Sequence, residues 1–268
     1  MSPFRYSLNA STIRGTPVLD QIRIAAAAGY RGIELWYADT DAHLDAGGRL
    51  DDVRKALHDY GLEVPTMIYL AGWFECAESE WPSMREAAAR RFSQAAEIGA
   101  SHVICSPPEG RADLAPGARR YAELLALGRS IGVGAAFEFL GFVEQYRRIE
   151  SALEVLALAG GGTTVVDPFH IFRGGGSVES LALLRAGQIA VSHFNDVTSA
   201  VPRDLQGDGD RVMPGDGIFD LRRHCGLLRQ IGYDGFLSLE LFREDLWARD
   251  PREVARLGLE KMREVVER

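Results

Sequence analysis

The sequence predicts a single-domain α/β protein built as a (β/α)₈ barrel over residues 1–268, and three observations support this fold class. Eight short apolar segments alternate with eight longer amphipathic segments along the chain. Five of the amphipathic segments end at a glycine that lies just before the next apolar segment, as helices that lead into strands often do. The length of 268 residues also suits one such barrel, which typically takes about 250 residues.

The apolar segments have the length of buried strands, and their alternation with helices favours a parallel sheet. We predict strands at residues 6–8, 32–36, 64–69, 102–105, 135–139, 164–166, 189–191 and 236–241. We predict helices at residues 17–28, 50–60, 83–98, 117–130, 150–159, 178–186, 219–231 and 251–267. Eight strand–helix units favour a closed barrel over an open sheet, and no nucleotide-binding glycine motif follows any of the strands.

One predicted connection is much longer than the others. Residues 194–217 show neither helical nor strand periodicity, and they contain Pro202, Pro214, several glycines and many aspartates. Ordered loops longer than about 12–15 residues are usually lids or binding loops. Because this loop follows the seventh strand, we expect it to lie over the C-terminal mouth of the barrel, where barrel active sites are found.

The composition narrows the class of partner. The chain has 30 Lys and Arg against 38 Asp and Glu, a net charge of −8, so we expect no nucleic-acid partner. No segment reaches the ~20 apolar residues of a membrane helix, and the N-terminus lacks the pattern of a signal peptide. The three cysteines are odd in number and widely spaced, which favours reduced thiols. We expect a cytoplasmic protein with no membrane partner. The composition is compatible with a homo-oligomer.

Polar side chains stand at the ends of the last four predicted strands, which converge on one mouth of a barrel. In chain order they are Glu138, Asp167, His170, His193, Asp196 and Glu240. Carboxylates buried close together cost several kcal/mol for each uncompensated charge. A divalent cation removes that cost, and one such residue from each of the four strands, which gives two Glu, one Asp and one His, suits Mn²⁺, Mg²⁺, Co²⁺ or Zn²⁺. The pattern therefore predicts one divalent metal ion at the mouth.

The motifs around these residues resemble those of a known family. They are Phe137 to Phe139, Val165 to His170, Ser192 to Asp196, Asp210 to Gly217 and Ser238 to Arg243. The chain resembles the xylose-isomerase-like TIM-barrel superfamily of sugar phosphate isomerases and epimerases, and within it most of all the 2-keto-myo-inositol (inosose) isomerases. The likeness extends through most of the chain and is densest from about residue 130 onward.

The resemblance implies an enzyme with a single divalent metal ion and a small-molecule substrate. The implied metal ligands are Glu138, Asp167, His193 and Glu240. The implied substrate-binding or proton-relay residues are His170, Asp196 and Arg211. The implied reaction is the isomerisation or epimerisation of a keto-sugar or an inosose-like keto-cyclitol through an enediolate, with Glu138 and Glu240 transferring the proton.

Three other functions stay open at this stage. An inosose-type dehydratase needs the same proton abstraction and then expels a hydroxyl group. An endonuclease IV-like DNA repair enzyme shares the ligand frame, but such enzymes hold three zinc ions with extra histidines that the early strands here lack. A catalytically silent sugar sensor would not need an intact ligand set. Asn9 and Glu34 also end early strands, and the sequence assigns them no role.

Overall fold

A computed structural model describes residues 3–267. In this range, eight parallel strands close into a barrel in the order β1-β10-β7-β6-β5-β4-β3-β2, which confirms the predicted fold class. The barrel strands are β1 Arg5–Asn9, β2 Gly32–Trp36, β3 Val64–Leu70, β4 Ala100–Cys105, β5 Gly134–Glu138, β6 Thr163–Val166, β7 Ile189–His193 and β10 Phe236–Leu239. Two further short strands, β8 Asp196–Val197 and β9 Arg211–Val212, pair with each other outside the barrel.

Helices connect the strands and cover the outside of the barrel. They are α1 Val18–Ala28, α2 Tyr37–Asp45, α3 Leu50–Tyr60, α4 Trp81–Ile98, α5 Leu114–Ile131, α6 Ile149–Leu158, α7 Pro168–Arg173, α8 Leu221–Gln230, α9 Glu244–Trp247 and α10 Pro251–Glu267. The predicted glycine junctions are present: α4 and α5 end at Gly99 and Gly132, whose φ angles of 89° and 90° are costly for other residues.

The prediction of a helix over residues 178–186 is wrong. The chain forms two short 3₁₀ segments there, Val178–Leu183 and Ala186–Gln188, and α7 supplies the α-helix of this connection. Leu181 is the only buried residue of the first segment. The segment therefore lacks the repeated apolar face that stabilises a longer α-helix.

The long loop over residues 194–217 contains more regular structure than its sequence pattern indicates. The antiparallel pair β8–β9 draws its two ends together, and two 3₁₀ turns lie between them. The side chain of Gln206 donates hydrogen bonds of 2.8 Å to the carbonyl groups of Thr198 and Val201. These contacts fold the loop onto itself, and they carry Arg211 back to the mouth of the barrel.

The buried apolar residues form two groups that support the mouth from below. A large cluster lies between the barrel and its helices. A smaller cluster takes one residue from each of six barrel strands; its members are Ile68, Ile104, Ala136, Val165, Val191 and Phe236. Side chains two residues apart share one face of a strand, so the polar residues that end these strands lie above this small cluster.

Candidate metal centre

Four side chains from four neighbouring strands meet at the mouth. Glu138 and His193 are the last residues of β5 and β7. Asp167 and Glu240 directly follow β6 and β10. All four are buried, with exposed fractions between 1% for Asp167 and His193 and 7% for Glu138. The structure therefore brings together all four residues that the sequence predicts as metal ligands.

The imidazole of His193 lies at the centre of this group. Its Nδ1 atom is 3.0 Å from Oε2 of Glu240, 3.3 Å from Oε1 of Glu138 and 3.7 Å from Oδ2 of Asp167. Nδ1 is also buried and makes no hydrogen bond with any described residue. A buried nitrogen that faces three carboxylates without a hydrogen bond is well placed to share a cation with them.

The chemistry of the donors fits a divalent metal ion. Three carboxylates and one imidazole supply oxygen and nitrogen ligands, the set that suits Mn²⁺, Mg²⁺, Co²⁺ or Zn²⁺. Among residues 3–267, two groups of three potential ligands have atoms within 4.8 Å of one another. One group is Glu138, Asp167 and His170, the other is Asp167, His193 and Glu240, and Asp167 belongs to both. These groups therefore define one site.

The carboxylates of this site differ in acidity. Burial raises the pKa of Glu138 to about 7 and also raises the pKa of Glu240. Burial opposes the ionisation of Asp167 as well, but the guanidinium of Arg211 and the neighbouring imidazoles hold its pKa well below the usual range. In the metal-free protein, Asp167 is thus ionised at neutral pH, whereas burial favours the protonated form of Glu138 more strongly.

Arg211 comes from the long loop and lies inside the site. Its Nη2 atom donates a hydrogen bond of 3.1 Å to Oδ2 of Asp167, and its Nη1 atom pairs with Asp208. The guanidinium carbon is 4.3 Å from the centre of the Phe169 ring. Only 1% of Arg211 is exposed, so this arginine is part of the site rather than of the solvated loop surface.

His170 lies beside Arg211, and both of its ring nitrogens have protein neighbours. Nδ1 accepts a hydrogen bond of 3.1 Å from the backbone N–H of Gly141, and Nε2 is 3.1 Å from Nη2 of Arg211. Burial lowers the pKa of His170 to about 4, so the ring is neutral at physiological pH. These contacts make His170 less suited to ligate a metal than His193, although it belongs to the same group of side chains.

Asp196, the third residue predicted to bind substrate, is bonded to the backbone of the long loop rather than to the other site residues. Its carboxylate accepts hydrogen bonds of 2.8–3.1 Å from the backbone N–H groups of Val197, Gly215, Gly217 and Phe219. Asp196 is 1% exposed and does not line the cavity above the metal site. Asp196 therefore stabilises the fold of the long loop.

A cavity of about 770 Å³ opens above the site. Glu138, Glu240, His170 and Arg211 lie on its wall. The aromatic residues of the wall are Trp36, Tyr69, Phe142, Phe242 and Trp247. Polar groups at the base and aromatic rings on the sides are suited to a ring-shaped polar molecule such as a sugar or a cyclitol.

Trp36 of β2 and Tyr69 of β3 line the cavity, whereas two aromatic residues that follow β3 do not. Trp73 and Phe74 are fully buried, with ring centres 6.2 Å from that of Phe137. They pack in the outer core.

The sequence pattern did not show that Glu34 lies beside His193. This glutamate lies on β2 and is fully buried, and its Oε2 atom is 3.4 Å from Nε2 of His193. The signal that could have found it resembles the one that marks Glu138, namely an acidic residue in an otherwise apolar strand. Its partner lies 159 positions away in the chain, so the sequence alone could not show the contact.

Comparison with known proteins places the chain in a family. A model of the family described as xylose isomerase-like TIM barrel matches residues 22–265. In crystal structures, the IOLI protein with a bound zinc atom has the same fold, with a TM-score of 0.91, 22% identity and 98% of each chain covered. At this identity the likeness shows the fold alone.

Curated relatives include enzymes of two kinds. The inosose isomerase of Bacillus velezensis is 31% identical over 147 residues, which are 54% of this chain and 52% of that protein. The chain thus spans about half the length of the inosose isomerases that it matches. The 3-dehydroshikimate dehydratase of Pseudomonas aeruginosa is 28% identical over 265 residues, which are 96% of this chain and 41% of that protein.

Proposed function

This chain belongs to the xylose isomerase-like TIM barrel family, and from this premise we propose that it is a divalent-metal-dependent isomerase or epimerase. We infer that its substrate is a keto-sugar or an inosose-like keto-cyclitol and that the reaction passes through an enediolate. The observation that carries the proposal is Nδ1 of His193, which faces three buried carboxylates at the base of a cavity large enough for such a ring. The inosose isomerases among the relatives support the choice of substrate class.

Glu138, Asp167, His193 and Glu240 would hold the metal ion, and the zinc bound by the IOLI protein supports a metal ion in a barrel of this fold. When bound, a divalent ion polarises the carbonyl of the substrate and stabilises the negative charge that develops on its oxygen. Asp167 stays ionised at every physiological pH, so it supplies a permanent negative ligand. We propose that the ion is Mn²⁺, Mg²⁺, Co²⁺ or Zn²⁺.

Glu138 and Glu240 would transfer the proton. One carboxylate takes a proton from the carbon next to the carbonyl, the C–H electron pair becomes the carbon–carbon double bond of the enediolate, and the carbonyl π pair moves onto the carbonyl oxygen. Return of a proton to the same carbon on its other face inverts that carbon and restores the carbonyl. Return of the proton to the former carbonyl carbon moves the carbonyl: the former carbonyl oxygen takes up a proton, and the neighbouring hydroxyl gives up its proton as its C=O bond forms. Both carboxylates lie on the wall of the cavity, so each can reach a proton of a substrate bound there.

Arg211 and His170 would position the substrate. Both lie on the cavity wall beside Glu240 and Asp167, and Nη2 of Arg211 is 3.5 Å from Oε2 of Glu240. A buried arginine whose positive charge reaches the cavity wall can bind a hydroxyl or carbonyl oxygen of the substrate and keep it next to the acid–base pair. The neutral His170 can orient a hydroxyl group of the same substrate.

A dehydratase is the second candidate, and one specific observation favours it. The match to the 3-dehydroshikimate dehydratase extends over 96% of this chain, whereas the match to the inosose isomerase covers 54%. The two reactions share the abstraction of a proton next to a carbonyl. A dehydratase then loses a hydroxyl group from the next carbon as water, which leaves a conjugated enone.

Incubation of the metal-loaded protein with 2-keto-myo-inositol and other keto-cyclitols in D₂O tests the proposal. We expect deuterium at the carbon next to the carbonyl in substrate and product, without loss of water. The same protein stripped of metal is the control and should show no exchange. A product lighter by one water with enone absorbance would move the assignment to the dehydratase. No exchange across a panel of ketoses and keto-cyclitols would contradict the proposal. Cleavage of abasic DNA would instead assign the protein as a repair enzyme.

The proposal extends to partners and location. We propose a small-molecule substrate, no nucleic-acid partner and a cytoplasmic location. Cys76, Cys105 and Cys225 are free thiols, which fits a reducing compartment. Within residues 3–267, no helix combines the length and the apolar composition needed to cross a membrane.

A further inference from the structure

We propose that Glu34 is a positioning residue that fixes the orientation of His193 and thereby presents Nδ1 to the metal site. This inference rests on the metal centre proposed above. Glu34 lies in the middle of β2, on the opposite side of the His193 ring from the three carboxylates. It is fully buried, and it is not one of the potential ligands that lie within 4.8 Å of one another.

The surroundings of Glu34 consist of hydrogen-bond donors. Its Oε1 atom accepts a hydrogen bond of 3.2 Å from Nδ2 of Asn9, and its Oε2 atom accepts one from Oγ1 of Thr66. Nε2 of His193 is 3.4 Å from the same Oε2 atom. An ionised carboxylate can only accept hydrogen bonds, so the geometry assigns the proton on Nε2 to His193 as donor.

The consequence for His193 follows from the chemistry of imidazole. In the neutral ring one nitrogen carries the proton and the other has the free electron pair that a metal ion needs. Because Glu34 accepts the proton of Nε2, the free pair lies on Nδ1, the atom that faces the three carboxylates. A carboxylate behind a metal-binding histidine orients the ring and strengthens it as a ligand.

Asn9 orients a second proposed ligand, Glu240, in a similar way. Its Nδ2 atom also donates a hydrogen bond of 3.0 Å to Oε1 of Glu240. The orientation of the Asn9 amide is determined, because Oδ1 accepts hydrogen bonds from Nε1 of Trp36 and from the backbone N–H of Ser11. Glu34 and Asn9 together therefore orient two of the four proposed ligands from the early strands β1 and β2.

A purely structural role is the alternative. The Glu34 network joins β1, β2, β3 and β7, and it could simply satisfy polar groups inside the barrel. The two roles differ in what the loss of the carboxylate does to a folded protein. A structural role predicts lower stability with unchanged metal binding, whereas a positioning role predicts weaker metal binding in a protein that is still folded.

The test is a Zn²⁺ titration of the metal-free wild type and of the Glu34→Gln and Asp39→Asn variants. Glu34→Gln keeps the size of the side chain but replaces one acceptor oxygen with a donor. We expect about 10- to 100-fold weaker binding of Zn²⁺ to this variant. Asp39→Asn removes the same charge from a carboxylate that bonds to Gln21 on a neighbouring helix, and it should bind Zn²⁺ as the wild type does. Equal affinity of folded Glu34→Gln and wild type would overturn the inference.

A spectroscopic measurement on the wild type tests the same point even where the variant does not fold. In the ¹⁵N-histidine-labelled protein saturated with Zn²⁺, we expect a slowly exchanging, downfield proton on Nε2 of His193 and metal on Nδ1. In Glu34→Gln, if it folds, this proton should move upfield and exchange faster. Metal on Nε2 of the wild type would overturn this inference but not the proposed metal centre. Failure of the wild type to bind Zn²⁺ would instead overturn the metal centre, and the inference with it.

Discussion

The two halves of the barrel mouth carry similar polar residues that are bonded in different ways. In the ligand half, which consists of Glu138, Asp167, His193 and Glu240, one buried nitrogen faces three carboxylates without a hydrogen bond to any described residue. In the support half, which consists of Asn9, Glu34 and Thr66, donors and acceptors are matched. The residues of both halves are buried. The unmatched nitrogen distinguishes a site that is suited to a metal ion from one that positions it.

Removal of the metal should produce the largest effect, and it should fall on the ligand half. We expect a chelator to abolish turnover of the keto-cyclitol and to lower the melting temperature, because the buried carboxylates then lose their counter-charge. Zn²⁺ at 100 to 1,000 times its Kd would stabilise the fold by about 3–4 kcal/mol. Activity assays and thermal unfolding with EDTA and with added Zn²⁺ check this. Full activity in a protein shown to be metal-free would contradict it.

Loss of one proton-transfer group should have the second largest effect. Glu240→Gln removes the acid–base function of this side chain but keeps its shape, so we expect kcat to fall by about 10²- to 10⁴-fold. The fold should persist, because the apolar cluster lies below the mouth. Glu260→Gln on the exposed face of α10 is the matched control and should leave kcat unchanged. Wild-type turnover in Glu240→Gln would show that Glu240 does not transfer the proton.

Arg211 tests how far the long loop participates in the ligand half. Arg211→Lys keeps the charge but loses the forked geometry that binds Asp167 and Asp208, so we expect KM to rise about tenfold, equivalent to 1.4 kcal/mol, with a smaller change in kcat. Arg203→Lys, on the same loop but exposed, should leave both constants unchanged. Steady-state kinetics measures the split. Unchanged KM and kcat in Arg211→Lys would remove Arg211 from substrate binding.

Asp196 should give the smallest effect on activity and a measurable effect on stability. Asp196→Asn removes an ionised acceptor from four backbone N–H groups, which should cost about 1–3 kcal/mol of unfolding free energy. We expect faster hydrogen exchange at Gly215, Gly217 and Phe219, and unchanged Zn²⁺ affinity. A large rise in KM with unchanged stability would instead return Asp196 to substrate binding, as its sequence motif predicts.

The same contrast explains what the sequence could predict. The alternation of segments predicts the barrel, and residues at strand ends converge in any parallel barrel, so Glu138, Asp167, His193 and Glu240 are brought together by topology alone. Asp196 shares that signal, but turns at Gly215 and Gly217 fold backbone N–H groups around its carboxylate. Such contacts depend on the path of the loop and not on any local pattern.

The support half was beyond prediction for a different reason. Glu34 is an acidic residue in an apolar strand, as Glu138 is, but its role depends on one nitrogen of His193 on a strand across the barrel. The pairing of two side chains 159 residues apart is a property of the folded barrel. The helix wrongly predicted over residues 178–186 has a similar cause, because burial of Leu181 alone requires only a short 3₁₀ turn.

The most direct test of the metal centre is anomalous diffraction from crystals grown with Zn²⁺. We expect one strong peak for each chain, about 2.0–2.2 Å from Nδ1 of His193 and from the nearest oxygens of Glu138, Asp167 and Glu240. The same crystals of His193→Ala should lack the peak or show it at much lower occupancy. A peak elsewhere on the protein, or no peak between these four residues at saturating Zn²⁺, would contradict the account.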